Sequence, residues 1–318
     1  MVLSATIDAV ERMQKHIKTY VNECFEINDI VGVSHYSKRH AIRIFKDLLG
    51  KTPMQYVRSI RLTASAKGLA KKQGNVLEVA LDSGYESHEG FSRAFANEFG
   101  ILPKRYQQEK PPIRFFVQYP VRHCYSHYRN AEGEMMKQES LPGICTVTIV
   151  KRPKRRLMIM RAQKAHDYWS FCEEKGCDWE GLFDSIYSKI DSGAILTLPE
   201  SMVADGTTNC AAGIEIPSDY SGKVIDGCEL IELDECDMMV FQSRPFDDED
   251  DYDVAIGEVN KAIREYDPTP FGYEYALDIA PRYNYGASSS DRGIRARQAM
   301  PVKELVGETM ERPTDRQL

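Results

Sequence analysis

Two stretches of this 318-residue chain carry cationic and polar side chains on one side of a short apolar pattern, fifty residues apart. The first reads Ser37-Lys38-Arg39-His40-Ala41-Ile42-Arg43-Ile44-Phe45-Lys46, the second Ser87-His88-Glu89-Gly90-Phe91-Ser92-Arg93-Ala94-Phe95. Ala41, Ile44, Phe45 and Leu48 recur at helical spacing, as do Phe91, Ala94, Phe95 and Phe99, so each stretch is expected to form a helix with an inner face. Lys38, Arg39, Ile42, Arg43 and Lys46 are left outside on the first; His88, Glu89, Ser92 and Arg93 on the second. Gly84 tolerates the left-handed turn that stops the helix before it, and Ser87 caps the next. Helix, tight turn and second helix with a polar outer face is a helix-turn-helix, whose second helix lies in a DNA major groove. Other reactive types are arranged for little. His123-Cys124-x-x-His127 supplies too few ligands for a four-coordinate metal, and His16, His35 and His40 have no partners at ligand spacing. The Asp247–Asp253 acidic run lacks the spacing and glycine of a calcium loop and reads as a solvated loop or helix start. No metal and no cofactor is expected.

The elements around these faces repeat. Ser37…Ala41-x-Arg43-x-Phe45…Gly50-x-Thr52-Pro53…Tyr56 parallels Ser87…Phe91-x-Arg93-x-Phe95…Gly100-x-Leu102-Pro103…Tyr106. A repeat of this kind argues for two like units, joined by a long helix from Pro53 through Tyr56, Ile60, Leu62, Ala66 and Leu69. Two such reading helices would dock in successive major-groove segments about 10 bp apart. Helices are also expected over residues 4–20 and 26–31. Charge supports the division: residues 1–110 hold 17 Lys+Arg against 12 Asp+Glu, and the remainder 24 against 36. A basic first module is drawn to polyanions and an acidic body is repelled.

Residues 1–108 resemble the DNA-binding domain of the AraC/XylS family of transcription regulators. The resemblance rests on Gly84-Tyr85-Glu86-Ser87, Phe91-Ser92-Arg93-Ala94-Phe95, Phe99-Gly100 and Pro103, and on Arg61-Leu62 and Ala64 in the linking helix. It implies base reading by Lys38, Arg39, Ile42 and Arg43, and by His88, Glu89, Ser92 and Arg93. Arg39, Arg43 and Arg93 suit guanine O6/N7, Ile42 a thymine methyl, and Glu89 a cytosine amine, although near a phosphate it would repel. Lys46, Lys51, Lys104 and Arg105 read as phosphate contacts. Two positions depart from the pattern. Ala41 stands where leucine is usual, and Leu102 replaces the serine or threonine that usually precedes the proline, removing a capping hydroxyl.

Residues 109–143 form a linker, with Ile113–Pro120 as an extended strap. From Cys145 the pattern alternates. Strands are expected at residues 145–150, 157–161, 194–198, 210–216, 228–232, 238–242, 273–277 and 282–285, with a hairpin at Pro153-Lys154-Arg155 and helices over 179–190 and 251–266. Two strand-strand-helix-strand-strand units in tandem give a duplicated α+β domain with a groove between its halves. Residues 144–305 are similar to the gyrase-inhibitor-like effector-binding domain, on Cys172-Glu173-Glu174-x-Gly176-Cys177-Asp178-x-Glu180-Gly181-Leu182 and Gly213-Ile214-Glu215-Ile216-Pro217. That resemblance implies an aromatic groove with a carboxylate. Tyr168, Trp169, Phe241, Tyr273, Tyr275, Tyr283 and Tyr285 are the candidate rings, and Glu215 or Glu274 the anion. Such a groove takes a small hydrophobic ligand and suits a flat cation. Asn284 stands where related domains carry glutamate, which weighs against a strictly cationic one. The chain is expected to trail off from about Met300, with 306–318 as a tail.

The sequence therefore describes a multidomain chain, an all-α double helix-turn-helix module followed by an α+β module. The expected function is transcription regulation through double-stranded DNA under control of a small molecule, with RNA polymerase as a further partner, and no enzymatic activity. The alternatives for the second module are hydrolysis of a small electrophile, with a tyrosine and a glutamate orienting water, and recruitment of a protein. With no apolar run near the ~20 residues that cross a bilayer, no leader at Met1–Ala5 and eight cysteines without a framework, a cytoplasmic setting is expected.

Overall fold

The computed structural model describes residues 2–23, 26–71, 75–85, 87–118, 121, 145–246, 251–290 and 293–305. The His123/His127 pair, Asp247–Asp250 and the tail at 306–318 lie outside them. Packing separates the chain into Met1–Gln138 with Gly176–Tyr187, and Glu139–Lys175 with Ser188–Leu318.

The first unit is helical: α1 (Val2–Tyr20), α2 (Ile27–Gly32), α3 (Lys38–Leu49), α4 (Pro53–Ala70), α5 (Val76–Asp82), α6 (His88–Phe99) and α7 (Pro103–Glu109). The fifty-residue repeat is visible in its caps and its cores. Gly50 and Gly100 end α3 and α6 at φ 71° each, a left-handed stop that glycine adopts without a Cβ penalty. Ala41, Phe45 and Tyr56 are buried in a core with α1 and α2, and Phe91, Phe95 and Tyr106 in a second core with α5 and α7. The linking helix α4 serves both, giving Tyr56 and Val57 to one and Leu62, Ala66 and Leu69 to the other. The capping roles differ. Ser87 accepts from the Gly90 amide at 3.1 Å, whereas Ser37 makes no side-chain cap bond. Thr52 caps α4 in a box with Gln55, while its counterpart Leu102 leaves α7 without a side-chain cap, as its missing hydroxyl requires. Proline at the first helical position forms α7 nonetheless.

The strap beyond α7 places Ile113 and Phe115 in the second core and holds a segment distant in sequence. That segment carries a helix, α9 (Trp179–Asp184), which follows α8 (Tyr168–Lys175) of the other unit in chain order. The Phe115 amide donates to the Gly181 carbonyl at 3.2 Å, and the Ile113 amide to Ser185 Oγ at 3.0 Å. Arg114 pairs with Asp178 at 2.6 Å. The sequence pattern extended this helix to Ile190, but it stops at Asp184. The Ser185 hydroxyl is spent on the Leu182 carbonyl (2.7 Å) and on the strap, which turns the chain there.

The second unit is an antiparallel sheet of nine strands: β1 (Thr146–Arg152), β2 (Arg155–Arg161), β3 (Ala194–Thr197), β4 (Cys210–Pro217), β5 (Glu229–Leu233), β6 (Cys236–Gln242), β7 (Tyr273–Tyr275), β8 (Arg282–Ser290) and β9 (Gly293–Glu304). Its order is β1-β6-β9-β8-β3-β4-β2-β5, with β7 also on β9. Helix α10 (Tyr252–Glu265) packs its Ala255 and Val259 against Met239, Phe241, Ala296 and Val302 on one face. Alternation puts Leu157, Leu196, Ala211, Val240, Tyr283 and Ala299 on the other. The expected Pro153 hairpin does not form. β1 pairs with β6, and β2 with β4 and β5. The Pro153-Lys154 link instead joins strands that lie far apart in the sheet order, and the Arg155 side chain that follows it bonds the Asp234 and Pro153 carbonyls. Strand β9, which continues through Glu304, also lay beyond the sequence reading. Its polar Arg295, Arg297 and Gln298 mask the strand pattern, and the stretch from Met300 to Glu304, expected to fray, is strand.

Candidate nucleic-acid interface and sheet-face site

In the first unit, the inner residues fix how the outer ones are presented. With Ala41, Ile44 and Phe45 buried, helical spacing leaves Lys38, Arg39, Arg43 and Lys46 exposed and Ile42 partly so. With Phe91 and Phe95 buried, His88, Glu89 and Arg93 are exposed and Ser92 partly so. Lys104 and Arg105 are exposed on α7. Several are already engaged. Lys38 donates to Asn28 at 2.9 Å, Arg43 lies 3.0 Å from His40 Nδ1, and Arg105 pairs with Glu109 at 2.8 Å. Lys51, read from sequence as a phosphate contact, lies 3.5 Å from Glu98. Among the described residues Arg39 and Arg93 make no ion pair, so their guanidinium forks are open. These are exposed, solvated contacts of small energy that a phosphate or base edge can replace.

The turns that set these helices use different chemistry. The second relies on Gly84 at φ 77°. The first has His35 at φ 60°, a backbone region uncommon for residues with a Cβ. Arg12 holds it from α1, donating to the Val33 and Ser34 carbonyls at 2.9 and 3.0 Å. His35 is thus a turn residue, in keeping with its lack of ligand partners in the sequence.

In the second unit the face away from α10 carries a buried ion network. Glu215 on β4 accepts from Arg155 Nε (2.5 Å) and the Tyr283 hydroxyl (2.8 Å), and its second oxygen faces Arg152 Nε at 3.4 Å. Asp191, just before β3, is bonded by Arg152 and by both terminal nitrogens of Arg297 at 3.1 and 2.5 Å. The Arg297 guanidinium sits 3.9 Å from the Tyr285 ring centre, and Tyr285 stacks on Tyr283 at 5.6 Å. Burial opposes ionisation of Asp191, but the bonds and charges of Arg297 and Arg152 hold its carboxyl below the usual range. Burial, and then the Glu215 charge, push the Tyr283 hydroxyl well above its usual value. Tyr283 therefore remains a donor across the working pH range.

Of the ring and carboxylate candidates, the structure gathers Glu215, Tyr283 and Tyr285. Phe241, Tyr273 and Tyr275 lie with the α10 core on the other face. Glu274 is half-exposed and pairs with Lys303 at 3.0 Å. Tyr168 and Trp169 meet edge to face on α8 at 5.0 Å. Asn284 alternates away from its tyrosine neighbours and accepts from the Gly286 amide at 3.1 Å, fixing a bulge at φ 62°. The sequence reading missed Arg152, Arg155, Asp191 and Arg297. A signal existed for two of them: Arg155-x-Leu157-x-Ile159 and Arg297-x-Ala299 put an arginine in phase with the inward apolar residues.

A helix-turn-helix domain model matches residues 31–109. The probable transcription factor PqrA of Proteus vulgaris is 40% identical over 87 residues, 27% of this chain and 71% of that protein. The right origin-binding protein of Escherichia coli (strain K12) is 24% identical over 153 residues, 48% of this chain and 52% of its own length. A solved transcriptional regulator with an AraC-type DNA-binding domain, from Chromobacterium violaceum, is 24% identical with a TM-score of 0.30, covering 32% of this chain and 91% of that one.

Proposed function

This chain belongs to the AraC family of helix-turn-helix transcription regulators, and from that premise we propose that it is controlled by a small molecule bound in its second unit. In this reading α3 and α6 enter neighbouring major-groove segments of one duplex. Lys38, Arg39, Ile42, Arg43, His88, Glu89, Ser92 and Arg93 face the bases, and Lys46, Lys104 and Arg105 the phosphates. The observation that carries it is the matched pair of helices: the same inner residues are buried at an offset of fifty, and Arg43 and Arg93 are both presented to solvent. The open forks of Arg39 and Arg93 suit bidentate pairing with guanine.

The effector site is the sheet face around Glu215, Tyr283 and Tyr285. Support comes from buried charge, which a simple core would not need, set among aromatic rings. The element order, two strands, helical segments and further strands on either side of Glu229, supports reading the unit as a duplicated effector-binding domain spanning about 144–305. Binding is favoured over hydrolysis because Glu215, the carboxylate a general base would need, is already committed to Arg155 and Tyr283.

The test is DNA binding by Arg43→Ala and Arg93→Ala. Each should weaken specific binding by about 1–3 kcal/mol and relax base preference at its own position. Unchanged affinity and unchanged preference in both variants would remove the assignment of α3 and α6 as reading helices.

A further inference from the structure

We infer that the molecule bound on the sheet face carries a negative charge, seated on Arg152 and Arg297, rather than the positive charge that an aromatic groove with a glutamate invites. This rests on the sheet face being the ligand site, as proposed above. The first reason is stoichiometry. Arg152, Arg155 and Arg297 face only Glu215 and Asp191, three guanidinium groups to two carboxylates among the described residues. Their side chains are between 0% and 17% exposed, so an uncompensated cation sits where water cannot solvate it well.

The second reason is what remains unpaired. A cationic ligand would need a free carboxylate. Glu215 is close to spent: one oxygen holds Arg155 and Tyr283, and the other, which forms no hydrogen bond, faces Arg152 Nε at 3.4 Å. Both oxygens of Asp191 are likewise taken by arginine. On the donor side, Arg297 Nε is buried without a hydrogen-bond partner, and Arg152 Nε has only the 3.4 Å approach of the equally unbonded Glu215 Oε2. Arg152 Nε and Glu215 Oε2 offset each other, so the surplus is the Arg297 N–H and one positive charge, which an anionic group satisfies.

The third reason is access. Arg155 and Glu215 are 0% and 1% exposed, whereas Arg152 and Arg297 retain 9% and 17%. A ligand therefore meets Arg152 and Arg297 first. On that side Thr146 and Thr148 alternate with Val147 and Ile149 along β1 and are exposed on the same strand face as Arg152. Gln242 bridges the row, in register with Thr146 on one side and Arg297 on the other. A compact apolar or aromatic body with one carboxylate, sulfonate or comparable anionic group fits this lining.

The test uses two probes of the same shape and opposite charge, tetraphenylborate and tetraphenylphosphonium, titrated calorimetrically into the full chain. The anion should bind at least about tenfold tighter than the cation. In a folded Arg297→Gln variant, anion affinity should fall by about tenfold or more, while cation affinity stays level or rises. The wild-type comparison decides the sign of the ligand charge even where that variant does not fold. Equal or tighter binding of the phosphonium overturns the inference and leaves the ligand-site reading intact. So does unchanged borate binding by folded Arg297→Gln. Binding of neither probe would remove the sheet-face site itself, and the inference with it.

Discussion

Replacing Gly181 with alanine should destabilise the helical unit through a single contact. Gly181 lies at the point where α9 meets the strap, and a Cβ built there falls on the Phe115 carbonyl, with its carbon at 2.7 Å and its amide nitrogen at 3.1 Å. Ordinary contact begins near 3.4 Å. Strap and helix must therefore part by well over an ångström to clear the carbonyl oxygen, which forfeits a large fraction of the dispersion contact between them. The clash is with backbone, which has no rotamer to yield. Parting loses the Phe115 amide bond to the Gly181 carbonyl, about 1 kcal/mol. It also disturbs Phe115 and Trp179, 1% and 2% exposed, for about 1–3 kcal/mol more. The total, about 2–4 kcal/mol, corresponds to a fall in Tm of roughly 4–16 °C for a unit of this size. Differential scanning calorimetry on the full chain reads this directly. Asp178→Asn is the control, since it removes only an ion pair with Arg114 that is about half exposed on each side and worth at most about 1 kcal/mol. If Gly181→Ala melts within about 1 °C of the parent, the strap and α9 are not packed as described.

Glu174 should confer a pH-dependent stability. Some burial works against it, but the amides of Gln163, Lys164 and Ala165 donate to it at 2.9, 2.9 and 3.0 Å, and with Lys175 they hold its pKa down to about 2. A lowered folded-state value means that the stabilisation is complete above the unfolded value of about 4.3 and is lost as pH falls through about 2. Glu174→Gln should therefore cost about 1–2 kcal/mol in denaturant melts at neutral pH, and the gap to the parent should close below about pH 4; a gap independent of pH would contradict the assignment. Leu102→Thr restores the hydroxyl missing ahead of Pro103 at a side chain already 58% exposed, and should stabilise α7 by about 0.5–1 kcal/mol in chemical denaturation, with a loss counting against the capping argument.

The helical unit was legible in the sequence because its information is local. The apolar period, the glycines at 50 and 100 and the prolines at 53 and 103 each act within a few residues, and the repeat doubled every signal. The sheet unit was legible in most of its elements, β9 and the helix Tyr168–Lys175 apart, and not in its pairing. Register depends on which strand lies beside which, so Pro153 could look like a hairpin turn while β1 and β2 found partners elsewhere. Helix α9 likewise looked like part of the second module, yet it packs on the strap of the first, because Ser185 and Gly181 are read by a partner about seventy residues away.

The sequence by itself determined that two like helices would present Arg43 and Arg93 outward, since helical geometry alone converts spacing into a face. Only the tertiary structure decided the charge balance of the sheet face. Arg152, Arg155, Asp191, Glu215 and Arg297 come from separated positions spanning well over a hundred residues, and which of them meet is set by strand order. Electrostatic interaction falls off with distance through space, and no pattern along the chain records that distance.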